Sequence, residues 1–367
     1  MKYLLLLSAI LFTFSLSAQN CDRALLVQTA GTFKPDAAYT GNDLKAEYLA
    51  KNKKVLSLIS NMIKSKYSPM GVDASYHENY GNASQHWGPN HYSYSIIPLN
   101  YTCYNNKKET EGETSTYFSI NINIPEFEIY DTAVGDRLSL EGFNVITEMP
   151  VKENGCWYFK EKDVTLAFGI PGKSSAWLLT YDGKLPFAYV TKKEFLEKRK
   201  LALANQMSES ATQSKEVLEN NEVARKYKET ELKNDPEKLK KYMKMEYLQL
   251  KERYEKLLAD NEMLYKPAFD KIDTQLKMPA NELNQQAIVK NDPQDHLSYL
   301  FTDDNDPFGK VLIKPNPGYF NTKISKSAPQ FIWIYIIGNR KEPIAAKFMT
   351  DIMKAVDFTL LLNMLGK

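Results

Sequence analysis

The sequence predicts an α+β fold: a largely antiparallel sheet covered by N- and C-terminal helices, with a long antiparallel helical hairpin inserted between its two halves. Three observations predict it. Residues 72–190 carry two-residue apolar alternation punctuated by turn dipeptides. Residues 192–266 contain no glycine, a single proline (Pro236), and 33 charged residues among 75, the composition of long solvated helices. Strand-like runs then return at Lys310–Lys314 and Gln330–Ile337. The expected boundaries are a leader over 1–18, a discontinuous body over 19–191 plus 267–367, and the hairpin over 192–266.

The leader comes first. Lys2 precedes an apolar run from Tyr3 to Phe14, and Ser15-Leu16-Ser17-Ala18 supplies small residues for a protease. That is a secretory signal pattern, which places the mature chain in the periplasm or outside the cell. Asn20 stands where a lipoprotein signal needs a small residue before Cys21, so release is expected rather than a lipid anchor. In an oxidising compartment two of Cys21, Cys103 and Cys156 can pair. Cys103 and Cys156 both sit in strand-like sequence, and that pair is expected.

From Asn42 to Lys66, Leu44, Leu49, Val55, Leu56, Leu58, Ile59, Met62 and Ile63 recur at helical spacing, an amphipathic helix ended by Ser68-Pro69-Met70-Gly71. Tyr117–Ile124 alternates cleanly, with Ile120, Ile122 and Ile124 on one face and the asparagines on the other. Ala176–Tyr181 and Lys184–Val190 flank Asp182-Gly183, a hairpin turn signal, although Pro186 confines the second strand to an edge or bulge. Thr191 with Glu194 forms a capping box that starts the first long helix. Asp235 and Pro236 cap and start the second. Its Met243, Tyr247, Leu250, Tyr254, Leu257 and Leu264 follow four–three spacing, a coiled-coil seam for a partner helix. Pro343–Val356 and Phe358–Leu365 read as the last helices, the latter capped by Asp357.

Composition limits the function classes. Net charge is +2, too small for a nucleic-acid footprint, and no apolar run after the leader reaches membrane-spanning length. No cofactor motif emerges. Gly172-Lys173-Ser174 lacks the upstream glycine of a phosphate loop, and Gly81 stands where a zinc-protease helix needs its second histidine. The richest stretch runs from Tyr76 to Tyr104. It holds His77, His86 and His91, imidazoles suited to zinc, with Glu78 beside them. It also holds Tyr76, Tyr80, Trp87 and Tyr92, rings suited to stacking on a sugar or peptide. The bland alternatives are a solvated histidine loop and strand-face packing. Asp303-Asp304-Asn305-Asp306 lacks calcium-loop spacing and reads as a solvated turn. Asn82-Ala83-Ser84 and Asn100-Tyr101-Thr102 are glycan sequons. The leading expectation is an exported soluble protein with a non-enzymatic binding or structural role. The alternative is a metal-dependent hydrolase built on His77, His86 and His91.

Overall fold

The computed structural model describes residues 21–41, 44–82, 88–124, 143–146, 149–153, 155–295, 297–303 and 305–367. The segment expected to be a leader, residues 1–18, lies outside them, as do His86 and Trp87. The protein is a mixed α/β chain of large sheets and helices, divided into two compact units.

The first unit comprises Met1–Glu126, Met149–Phe187 and Pro315–Lys367. Its strands are β1 (Phe33–Pro35), β2 (Val72–Asn82), β3 (His91–Tyr104), β4 (Lys107–Thr110), β5 (Tyr117–Ile122), β7 (Val151–Glu153), β8 (Cys156–Thr165), β9 (Pro171–Thr180) and β14 (Phe331–Gly338). They lie in the order β1-β2-β3-β5-β14-β9-β8-β7, with β4 added to β3. The β1–β2 pairing is parallel and the other pairings are antiparallel. Register sets the faces. Tyr94, Ile120, Ile334 and Trp177 stand opposite one another on one face. There they share a core with Leu56, Ile59 and Ile63 of α2 (Ala46–Lys66) and with Phe348 and Ile352 of α7 (Pro343–Ala355). The other face is closed too: Asn121, Trp333 and Leu178 align across three strands and are buried. A strand covered on both sides has no polar positions to spare, which explains the unbroken apolar run of β14. Asp357 caps α8 (Phe358–Leu362), accepting from Leu360 N at 3.0 Å.

Three expectations change here. Asp182-Gly183 turns the chain as a single 3-10 turn, but the strand after it does not return alongside β9. Pro186 lacks a ladder donor, and the residues beyond it form β10 (Phe187–Tyr189), which belongs to the second sheet. Residues 310–315 join that second sheet as well, rather than the large one. The disulfide links Cys21 to Cys103, with Cα atoms 5.6 Å apart, and not Cys103 to Cys156. The strand argument fails because β3 and β8 are separated by β5, β14 and β9, while Cys156 is buried as a free thiol.

The second unit comprises Phe127–Glu148 and Ala188–Lys314. Its small sheet runs β10-β13-β11-β12, where β11 is Ile288–Asn291, β12 Tyr299–Phe301 and β13 Lys310–Pro315, and β6 (Asn144–Ile146) pairs β13. Phe195, Leu203, Ile272, Val289 and Leu312 form its core. The long helices are α3 (Lys192–Glu231) and α5 (Leu248–Gln275), connected by α4 (Pro236–Tyr242) and a π turn at Met243–Tyr247. Thr191 Oγ1 caps α3 by accepting from Glu194 N at 3.2 Å. Glu194 does not complete the box; its carboxylate pairs with Lys314 at 2.6 Å. Asp235 and Pro236 begin α4 as expected. The boundary at residue 266 does not hold as a break, because α5 continues through Pro267 and buries Ala268 and Ile272 in this core. The helices are rooted in the second unit's sheet.

Candidate functional site

The histidines come first. β2 pairs β3 so that His77 stands opposite Ser95 and Asn82 opposite His91. His91 therefore lies four residues along β3 from His77's partner, on the order of 13 Å away. His77 Nε2 instead approaches Asp36 at 3.4 Å. The two do not share one coordination sphere, and the described residues contain no group of three His, Cys, Asp or Glu placed to hold a metal.

The aromatic residues scatter for the same reason of register. Tyr92 is fully buried and donates to Ser327 O at 2.8 Å; Tyr76 is buried against Phe33 and stacked on Tyr94 at 5.6 Å. Rings so enclosed offer no face to a ligand, which corrects the expectation for these two. Tyr80 is half-buried, bonded to Glu78 at 2.6 Å, with Lys53 5.2 Å over its ring. Asp306, in the acidic loop, accepts from Lys290 and Thr302 at 2.5 and 2.7 Å, so its oxygens serve an ion pair.

The structure assembles a different cluster, about 500 Å³ in volume, lined by Glu153, Cys156, Tyr158, Trp177, Phe358 and Leu362. Each member has a local cause. β7 and β8 form a hairpin around Gly155, whose φ of +82° suits glycine, and its register sets Glu153 opposite Cys156. Antiparallel pairing of β8 with β9 then sets Tyr158 opposite Trp177, their ring centroids 5.5 Å apart and 34° between planes. The Asp357 cap starts α8 so that Phe358 meets Trp177 edge-on at 6.2 Å. Trp177, Phe358 and Leu362 also rest against the main core, which makes the floor of the pocket rigid.

Its chemistry is apolar with one acidic corner. Tyr158 OH is engaged by Glu161 N at 3.1 Å. The Cys156 thiol lies 3.2 Å from Glu153 O, and burial, with the Glu153 charge beside it, pushes its pKa up. Cys156 is a buried free thiol that belongs to the main core. Sequence reading missed this pocket because its members come from three separated segments; the alternation of Tyr158 with Phe159 and of Trp177 with Leu178 was the available signal. No family model, curated protein or solved structure matches the chain.

Proposed function

We propose that the protein is exported and acts by binding, holding a flat apolar ligand such as an aromatic ring in the Trp177 pocket. One observation carries the reading: Tyr158, Trp177, Phe358 and Leu362 converge on one cavity whose single charged residue is Glu153. A concave, mostly apolar surface with few polar groups is the usual make-up of a small-molecule site. Export is supported by the leader pattern and by the bonding of Cys21 to Cys103, the state an oxidising compartment favours. A thiol held in that bond is also unavailable for a lipid, which supports release.

We further propose that α3 and α5 form a hairpin arm whose outer surface meets a partner helix. Its support is the side-chain bonds from Asn261 to Met207 O at 2.9 Å and from Asn221 to Tyr247 O at 3.1 Å, with numbering that runs in opposite senses. Leu250, Leu257 and Leu264 repeat every seven residues along α5 and are exposed.

The pocket reading is tested with indole as probe, followed by saturation-transfer NMR. Saturable binding is expected for the native protein, and Trp177→Ala should weaken it at least tenfold. Absence of saturable binding, or equal binding by Trp177→Ala, would remove the proposal.

A further inference from the structure

The Trp177 pocket carries one formal charge, and strand register fixes where that charge stands. Glu153 pairs with Cys156 across the β7–β8 hairpin, and Val151 pairs with Tyr158. Tyr158 in turn stands opposite Trp177. Successive side chains of a strand point to opposite faces, so Val151 and Glu153 share the face that carries Cys156, Tyr158 and Trp177. Glu153 is therefore the diagonal neighbour of Tyr158 on that face, at a spacing of about 7–8 Å. The Cys156 thiol feels the carboxylate: after burial, the Glu153 charge is the next cause that raises its pKa.

The same alternation removes the obvious counter-ion. Lys152, next in sequence, pairs with Trp157 and extends over that ring at 5.9 Å, on the opposite face. Asp357, beside Phe358, accepts from Leu360 N and from Lys66 at 3.4 Å, so those two charges offset each other. Among the described residues, none that lines the pocket is basic, and no cation pairs with Glu153. The chain's net charge of +2 attracts no cation in bulk, so any preference for one arises locally.

An unpaired carboxylate at the edge of an aromatic pocket selects its ligand by charge. The faces of Tyr and Trp rings attract a cation held within about 6 Å, and Glu153 adds to that attraction. An anionic ligand meets both with the wrong sign. A ring that rests on Trp177 and Phe358 must also carry its cation outward to the Glu153 position. A short alkyl tether spans that diagonal.

We propose that the pocket takes an arylalkylammonium ion, its ring on Tyr158, Trp177 and Phe358 and its ammonium, two carbons away, on the Glu153 carboxylate. This assignment rests on the reading of the pocket as a ring-binding site and adds the charge that the site selects. Isothermal titration compares tryptamine, indole and indole-3-propionate, which share one ring system and differ in charge. At low ionic strength tryptamine should bind about fivefold more tightly than indole, the upper end for an ion pair that water reaches. Indole-3-propionate should bind most weakly.

Raising salt from about 0.02 to 0.2 M should shrink the tryptamine preference, because screening acts on the charge and not on the ring. Glu153→Gln should bring the tryptamine-to-indole affinity ratio close to one, and indole binding by that variant reports a formed pocket. Trp177→Ala should weaken both ligands. Indole binding without a tryptamine preference would overturn the ammonium assignment while the ring site stands. A preference of equal size in Glu153→Gln or in high salt would do the same. Saturable binding by none of the three would overturn both readings.

Discussion

The two units of the molecule hold themselves together by different means. In the first, Ile120, Ile334 and Tyr94 sit on one sheet face under α2 and α7, and Asn121, Trp333 and Leu178 are buried on the other. In the second, the apolar core around Phe195, Leu203, Ile272 and Leu312 occupies only the base of the long helices. Farther out, polar contacts take over: Tyr247 donates to Glu222, Arg225 pairs with both Glu222 and Glu229, and Asn221 reaches Tyr247 O. Exposed helical ion pairs contribute only about 0.2–0.5 kcal/mol each. The outer helices should therefore open locally before anything in the first unit does.

The largest expected effect isolates the first unit. Cys21 and Cys103 are 82 residues apart in sequence, and closing a loop of that length restrains the unfolded chain by about 4 kcal/mol. Cys103→Ser should lower the first unit's urea midpoint accordingly and leave the second unit's transition where it was. A shift of both transitions together would break the comparison by showing that the units unfold as one.

A smaller effect contrasts two aspartates, one in each unit. Asp73 is pushed up by burial, but bonds from Thr32, Tyr101 and Thr110 outweigh this and hold it below the usual carboxylate range. Asp306 is lowered to about 2, chiefly by Lys290, then by Thr302 and Phe308 N. Both have a folded pKa below the unfolded value of about 3.9, so each contributes stability above that pH. The contribution is lost as pH falls, for Asp306 between about 4 and 2. Asp306→Asn should flatten the second unit's acid dependence across that window, and high salt should shrink the effect by screening Lys290. Asp73→Asn should flatten the first unit's, with little response to salt, because its partners are neutral. Equal salt sensitivity at both sites would refute the contrast.

What the sequence disclosed follows the same division. Local signals were legible: Thr191 and Asp235 cap helices, β14 is the covered central strand, and Ile120 and Ile122 share a face. Non-local pairing was not. Asp182-Gly183 reads as a hairpin because the dipeptide reports a turn, yet which strands lie beside β9 depends on β14 and β8, far away in sequence. Cys21 was passed over because its place just after the expected leader says nothing about the strand it reaches. The candidate pocket was hidden for this reason as well. Tyr158, Trp177 and Phe358 are unremarkable in their own segments and become a site only through register.

The smallest effect lies on the long helices and separates the side of α5 that meets α3 from the opposite side. The four–three pattern of α5 suggested one seam through Met243, Tyr247, Leu250, Tyr254, Leu257 and Leu264. The structure divides it: Tyr247 is 5% exposed and Tyr254 half-buried, whereas Leu250 and Leu257 are 37% and 45% exposed. The inward line instead runs through Tyr247, Tyr254, Leu258, Asn261 and Tyr265, a rotation of about one residue. Polar anchors cause it, since Asn261 bonded to Met207 O and Tyr247 bonded to Glu222 fix which side of α5 faces α3. Glutamate and leucine have similar helix propensities, so the double variant Leu250→Glu, Leu257→Glu should change thermal stability by no more than about 0.5 kcal/mol per site. Tyr247→Ala, which removes a buried ring, should lower it several times more. A double variant as damaging as Tyr247→Ala would mean that the leucines are already packed within the protein. A neutral one leaves the heptad stripe open, and capture of a partner helix by the native arm but not by the variant would then assign its use.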